Sequence, residues 1–517
     1  MTQVLGDDLV PARAHPGGQA QVLGQLAALL RATSTWPWWL GSTLALALAG
    51  AGAGLHSPTT GGDFWHLANA EVISRLGLGA PAAYLTHGGA ALDLRSWLSD
   101  LLLLGIDRAG GLPGLAAAGA VLGSLLGLAM AALMRRGRFA HPLLALLAGG
   151  LALLALRAAL PDWPSEVLAL LALGLLACLA AIQRGSRWGS WAVVGLLVLW
   201  SNSQADAAVA MLVVWVWLAL ARQDAGRQGQ PRPSWWLVPL TLLAVLASPR
   251  GLGTLWDLRL SLGMGNEYPL LASWSSLDFH LWGTRLAELC GLLLLGGYWL
   301  AGSRLARADA FLGLLTAALT LVWANYLPWF LVVAGVQGAI CLAAGLDRLP
   351  APSPSLACRS GLRRRLTGLR GPLAVGLPAL LGVALLAVGV AGARAGGGPG
   401  PAARAQLPVQ AATWLADHRV GGTWYAPPLF GDYLAWRFPA GRHLTCLDDP
   451  VPLAGRGLQR CTDLAILNSG AMTVLGRLRV SLAVVPPAAP QAAFLLEEGW
   501  KIRYRDSATL ILSPRNL

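Results

Sequence analysis

Runs of about 17–25 predominantly apolar residues recur along this chain, each long enough as a helix to cross the roughly 30 Å hydrocarbon core of a bilayer. A backbone in lipid must satisfy its own polar groups, so such segments fold as helices. Eleven spans are read, at 36–55, 113–134, 141–158, 165–183, 189–203, 206–221, 234–248, 284–302, 309–325, 327–346 and 372–393. With 55% hydrophobic and 12% charged residues in 517, an ordinary soluble globule is excluded. The fold class expected is a polytopic α-helical membrane protein.

The formal net charge is +13, yet the arginines sit in short loops between apolar runs, and no nucleic-acid-binding signature accompanies them. They read as topology. Arg135, Arg136 and Arg138, Arg184 with Arg187, Arg222 with Arg227 and Arg232, Arg304 with Arg307, and the run 359–370 fall in alternate loops, which places those loops in the cytoplasm. The leader 1–35 is then cytoplasmic, the first span a signal anchor without a cleavable signal peptide, and the acidic, aromatic loops 56–112 and 249–283 are external. An odd number of spans sends everything after residue 393 outside: a Gly/Pro linker at 394–404, then a region at 405–517.

That tail changes composition. Helical periodicity at 407–418, 429–436 and 490–497 alternates with short strand patterns at 422–425, 443–446, 480–485, 501–504 and 508–512, the signature of a small α/β layer domain. Of the six cysteines, Cys178, Cys290 and Cys341 lie in apolar spans and Cys358 in a basic loop. Cys446 and Cys461 share the tail, where either a disulfide or two free thiols is compatible with the sequence.

The residues with chemical potential gather in the external loops. Gly61-Gly62-Asp63-Phe64-Trp65-His66 places a carboxylate among aromatics at the membrane surface, where it can accept a proton from an acceptor hydroxyl; the same aspartate is also a favoured helix N-cap. Further along, Asp93, Arg95 and Asp100 can complete a charged cluster with Asp63 and His66, and arginine's planar fork suits a phosphate. The plainer reading there is an interfacial amphipathic helix at 94–106 with Trp97 at headgroup depth, and both can hold together. Asn202, Gln204 and Asp206 interrupt two apolar segments, where polar groups are often functional, although a short turn exposed to water explains them equally well. Arg250 and Arg259 in the second external loop are phosphate candidates or headgroup anchors. A divalent metal is conceivable if Asp63 and Asp93 converge, but no Asp-x-Asp pair occurs in the loop, and none is expected.

In order, Asp63-Phe64-Trp65-His66-Leu67-Ala68, Trp97-Leu98-Ser99-Asp100, Trp200-Ser201-Asn202, Pro249-x-Gly251, Trp274-Ser275-x-x-Asp278-Phe279, Asn325-x-x-Pro328-Trp329-Phe330 and Gly431-Asp432-Tyr433-Leu434-Ala435-Trp436-Arg437 resemble motifs of a bacterial family of GT-C type integral membrane glycosyltransferase-like proteins. That family is distantly similar to protein O-mannosyltransferases and lipid A aminoarabinose transferases. The resemblance implies a GT-C-like membrane domain at 36–393, a sugar donor on a polyprenyl phosphate and an external acceptor. It also implies an active site in the first loop, with Asp63 as base beside His66, and Asp93, Arg95, Asp100, Arg250, Asn202 and Trp65 contacting substrate. The chain departs from the family in having Arg95-Ser96 for His-Glu, Gln204 for a histidine and Ala324 for an arginine. A non-catalytic scaffold that keeps the fold is therefore the alternative; a lipid or solute transporter is a weaker one, because no inverted repeat is apparent. The location implied is the bacterial inner membrane.

Overall fold

The computed structural model describes residues 35–55, 61–80, 92–137, 140–159, 162–228, 232–256, 258, 276–348, 372–395, 407–438, 464, 467 and 470–515. The leader, Tyr84 to His87, Arg259, Trp274, the 359–370 arginine run, most of the linker, the 443–446 strand, Cys358, Cys446 and Cys461 lie outside them.

Helices form at all eleven segments read as spans: α1 (Trp36–Gly54), α3 (Trp97–Arg135), α4 (Pro142–Ala159), α5 (Trp163–Gln183), α6 (Arg187–Ser203), α7 (Ala207–Gln228), α8 (Leu237–Leu246), α9 (Trp282–Ala301), α10 (Arg307–Val322), α11 (Leu327–Leu346) and α12 (Pro372–Ala395). The first external loop contributes α2 (Gly61–Leu76) between α1 and α3. Among the described residues, seven helices are long and apolar enough to cross a membrane, namely α3, α4, α5, α7, α9, α11 and α12. The other four are shorter or less apolar. The protein is an integral membrane protein.

The break between loop and membrane in α3 is written in the sequence. Gly111 takes φ 59 and ψ −158, a conformation open essentially to glycine alone, and Pro113 follows at the start of the next helical stretch, where its missing N–H does no harm. The stretch before Gly111 is the surface helix expected near 94–106, and the stretch after it is the expected span.

Glycine also sets how closely the bundle packs. α1 is gripped between α3 and α12, and a Cβ at Gly123 of α3 would stand 2.1 Å from the carbonyl oxygen of Gly50. On the other face of α1, a Cβ at Gly389 of α12 would lie 2.3 Å from the carbonyl oxygen of Gly52. Such backbone contact is how membrane helices associate when apolar surface alone gives no drive. Deeper in the bundle, Trp200 of α6 meets Trp329 of α11 edge-on at 4.9 Å between ring centroids.

The tail folds as the sequence periodicity foretells, with α13 (Val409–Asp417), β1 (Thr423–Tyr425), α14 (Pro428–Arg437), α15 (Ala471–Arg477), β2 (Val480–Val485), α16 (Pro490–Glu497), β3 (Lys501–Arg505) and β4 (Leu510–Ser513). Only α15 lacks a sequence forecast. The sheet order is β1-β2-β4-β3, with β1 parallel to β2 and β4 antiparallel to both β2 and β3. Alternate residues serve two cores: Ala483, Val485, Leu510 and Leu512 pack with Leu475, Leu495 and Trp500, whereas Leu482, Val484 and Ile511 join a cluster that includes Phe64, Trp65 and Leu67 of α2. The tail thus shares an apolar core with the first-loop helix. α14 makes the contact, Phe64 lying 5.2 Å from both Tyr433 and Trp436 by ring centroids.

Candidate functional site

Four separate segments meet at one end of the bundle: α2, the 92–100 segment that runs into α3, the α6–α7 turn, and the turn that follows α8. Each brings polar side chains out of water, so each must find partners there.

Asp63 occupies the first turn of α2 and is 2% exposed. One of its carboxylate oxygens accepts the backbone N–H of Trp163 at 3.1 Å, the first residue of α5. It is therefore not the N-cap that its sequence position allowed; it joins the N-terminal turns of two helices, whose unsatisfied N–H groups favour negative charge. Trp65, 1% exposed, packs edge-on against the His66 ring at 4.5 Å and is enclosed by the core.

His66, 15% exposed at its side chain, pairs through Nδ1 with Asp100 Oδ1 at 2.6 Å, and Ser96 Oγ stands 3.3 Å from the same nitrogen. With a proton on Nδ1 donated to Asp100, Nε2 is left as the basic nitrogen. The other oxygen of Asp100 accepts from Asn69 Nδ2 at 2.7 Å, and Asn69 also donates to the Asp93 carbonyl at 2.8 Å. Asn69 was not foreseen. It sits three residues beyond His66 on α2, on the same helical face, and that spacing was the available signal.

Asp93 accepts from Arg95 backbone N–H and Nε, both at 2.9 Å, and from its terminal nitrogen as well. Arg250 approaches Asp93 Oδ1 to 3.9 Å. Burial pushes the Asp93 carboxyl up, but the charge and hydrogen bonds of Arg95, with Arg250 behind, outweigh it and hold the group below its ordinary value. Asp93 stays ionised, and its charge is matched by two guanidinium groups. Arg250 is the more open of these, 24% exposed at its side chain against 5% for Arg95. Its position follows from Pro249 and Gly251: the Gly251 N–H closes a turn on the Ser248 carbonyl at 3.0 Å, with φ 53 at Gly251, a left-handed conformation that favours glycine.

Asn202 ties these segments together. Its Oδ1 accepts from Trp97 Nε1 at 2.8 Å, and its amide donates to the carbonyls of Val198 at 2.7 Å and Ala247 at 3.0 Å. Its polar atoms are thus engaged by α3, α6 and the end of α8. The α6–α7 turn ends at Asp206, which accepts from Trp200 Nε1 at 2.8 Å and whose second oxygen is buried near the Trp329 indole. Burial pushes this carboxyl up to about 6, against the lowering by hydrogen bonds.

The folded protein therefore keeps the Asp206 proton to about pH 6, whereas the ordinary value is 3.8. The folded state binds more protons between those values, so stability falls as pH rises through that window and the loss is complete above it. Asp206→Asn keeps the Oδ1 acceptor for Trp200. It is expected to raise the melting temperature by a few degrees above pH 6 and to flatten the dependence below it. An unaltered slope would contradict this account.

The structure thus brings His66, Asp93, Arg95, Asp100, Arg250 and Asn202 into one hydrogen-bonded and charged neighbourhood. Asp63 reaches the same end through the α2 helix and α5, and its described bond is to Trp163. Asp278 of the second external loop pairs instead with His280 at 3.0 Å, out in solvent. No group of three or more metal-ligating side chains occurs among the described residues.

No protein-family model and no curated protein matches the chain. Solved structures do. An oligosaccharyltransferase from Archaeoglobus fulgidus in the apo form superposes with a TM-score of 0.53 at 11% identity, over 87% of this chain and 70% of that one. The archaeal oligosaccharyltransferase AglB of the same organism, in complex with an inhibitory peptide and a dolichol-phosphate, gives 0.52 at 12% identity, over 93% and 75%. ArnT from Cupriavidus metallidurans gives 0.51 at 15% identity, over 92% of this chain and 97% of that one. At these identities the likeness is one of fold, and the chain has the GT-C fold of membrane glycosyltransferases.

Proposed function

We propose that this protein is a glycosyltransferase of the bacterial inner membrane. On this reading it moves a sugar from a polyprenyl-phosphate carrier to an acceptor on the extracytoplasmic side. The observation that carries the reading is the meeting of Arg250 with the Asp93–Arg95 pair, beside the His66–Asp100 pair, at the end of the bundle where Asp63 lies. Support for the lipid carrier comes from the neighbour that holds a dolichol-phosphate. The alternating arginine loops support the orientation.

In the proposed step an acceptor hydroxyl oxygen forms a bond to the anomeric carbon as the bond from that carbon to phosphate breaks. The polyprenyl phosphate leaves with the electron pair, and the hydroxyl proton passes to Asp63. Arg250, the more open of the two guanidinium groups, holds the departing phosphate, and Arg95 fixes Asp93 so that it does not neutralise Arg250 outright. His66 is held by Asp100 facing the same reaction space. The two guanidinium groups supply the positive charge, and the scheme calls for no resident metal.

The burial of Asp63 and its bond to Trp163 favour a second reading, in which the same residues only fasten the first loop and the chain is a scaffold. Arg250→Gln separates the two. With purified protein in liposomes and a radiolabelled polyprenyl-phosphate sugar, the transferase reading expects a donor KM raised by about 10–100-fold, the loss of one charge-assisted phosphate contact, with unchanged melting. Absence of any transfer by the wild-type protein across a panel of donors would favour the scaffold.

A further inference from the structure

A second feature at this end of the bundle faces lipid rather than the external loops. α12 packs along α1 and α4 packs along α1, while α4 and α12 meet only lightly. This leaves a groove between them, lined by Ala49, Gly52, Leu153, Arg157, Leu385 and Gly389 among others. Its floor is made of small residues, because α1 and α12 touch backbone to backbone at Gly52 and Gly389. Its side is open at Gly150, where a Cβ would meet only the tip of Leu385 at 3.9 Å.

Arg157 stands in this otherwise apolar groove. It is half-buried and lies two residues from the end of α4 at Ala159, at the level where a lipid headgroup begins. Among the described residues no hydrogen bond or ion pair engages its guanidinium. Glu166 of α5 lies near enough to be felt electrostatically but forms no salt bridge with it. A guanidinium at headgroup depth, set at the mouth of an open, shallow groove walled by glycine, alanine and leucine, suits a lipid with an anionic headgroup and an apolar chain.

We propose that this groove binds a single anionic phospholipid of the surrounding leaflet, its phosphate on Arg157 and one acyl chain along Gly150, Gly52 and Leu385. The site lies on a lipid-facing side of the bundle, away from the Arg250 cluster, and does not depend on the glycosyltransferase reading. It differs from ordinary snorkelling of an arginine in needing the groove as well as the charge.

The test uses the full chain purified in a mild detergent, with phosphatidylglycerol or phosphatidylcholine added and the bound lipids counted by native mass spectrometry. The wild-type protein is expected to retain one phosphatidylglycerol in preference to phosphatidylcholine. Arg157→Gln is expected to lower that occupancy on the order of tenfold, the loss of one guanidinium–phosphate contact. Gly150→Leu keeps the cation and fills the groove, and the same loss is expected from it; this variant also serves if Arg157→Gln does not fold. Arg136→Gln, at the opposite end of the bundle, is expected to change nothing. Equal retention in wild type and Gly150→Leu, or no preference for the anionic lipid, would overturn the proposal. Displacement of the lipid by polyprenyl phosphate with higher affinity would overturn it too, assigning the groove to the carrier instead.

Discussion

Asp63→Asn is expected to lower sugar transfer by about a hundred- to ten-thousand-fold, the range contributed by a positioned general base, while the protein folds and melts as the wild type does. Asparagine keeps the Oδ1 that accepts the Trp163 N–H, so that link between α2 and α5 survives while the capacity to take a proton is lost. Transfer in liposomes and thermal melting in detergent read the two properties independently. Turnover within about threefold of wild type, against the range expected for a base, would remove Asp63 from the chemistry and leave it as a fastening between helices.

Gly123→Ala is expected to be a severely damaging small change in the membrane domain. The added methyl would stand 2.1 Å from the Gly50 carbonyl oxygen, and backbone cannot turn aside as a side chain can. α1 and α3 must separate, and the neighbouring contacts that bring Gly54 against Gly119 and Gly127 against Leu46 open with them. A cost of about 3 kcal/mol or more, at the upper end for overpacking, should appear as a large fall in melting temperature and in the yield of monodisperse protein. Gly105→Ala, in the surface stretch of α3 before the Gly111 break, is the control: nothing lies within 4 Å of a Cβ there, and alanine is the better helix former. Similar losses from both substitutions would show that the damage does not come from the α1–α3 contact.

Much of this architecture could be read from the chain because membrane helices announce themselves by composition. Every segment read as a span became a helix, and 480–485 and 490–497 in the tail coincide with β2 and α16. Period and apolarity are local properties, and local properties survive in a sequence. The crossing count is less accessible. α6, α8 and α10 run 17, 10 and 16 residues, and at those lengths packing rather than apolarity decides the path.

The site divides in the same way. The residue types that gather near Asp93 were legible because charge is rare in such a chain and stands out. Their partners were not. That Asp100 would hold His66, that Asn69 would bridge Asp93 and Asp100, and that Asn202 would lock Trp97 to the end of α8 are consequences of helix faces meeting across 24 to 105 residues of sequence. The tail motif at 431–437 carries part of the family resemblance, and its aromatic side chains Tyr433 and Trp436 seal α2 against Phe64.

That seal imposes an order on the protein's biosynthesis. The helix carrying Asp63 leaves the ribosome more than 300 residues before the surface that covers its apolar face, from Ala411 through Tyr433 to Ile511. Throughout elongation Phe64, Leu67 and Ile73 wait without their final partners, at the stage when exposed apolar surface most invites misassembly. A chain interrupted before residue 407 would hold its membrane helices and leave this loop uncovered, so the assembled site itself reports that the tail has been made and has docked.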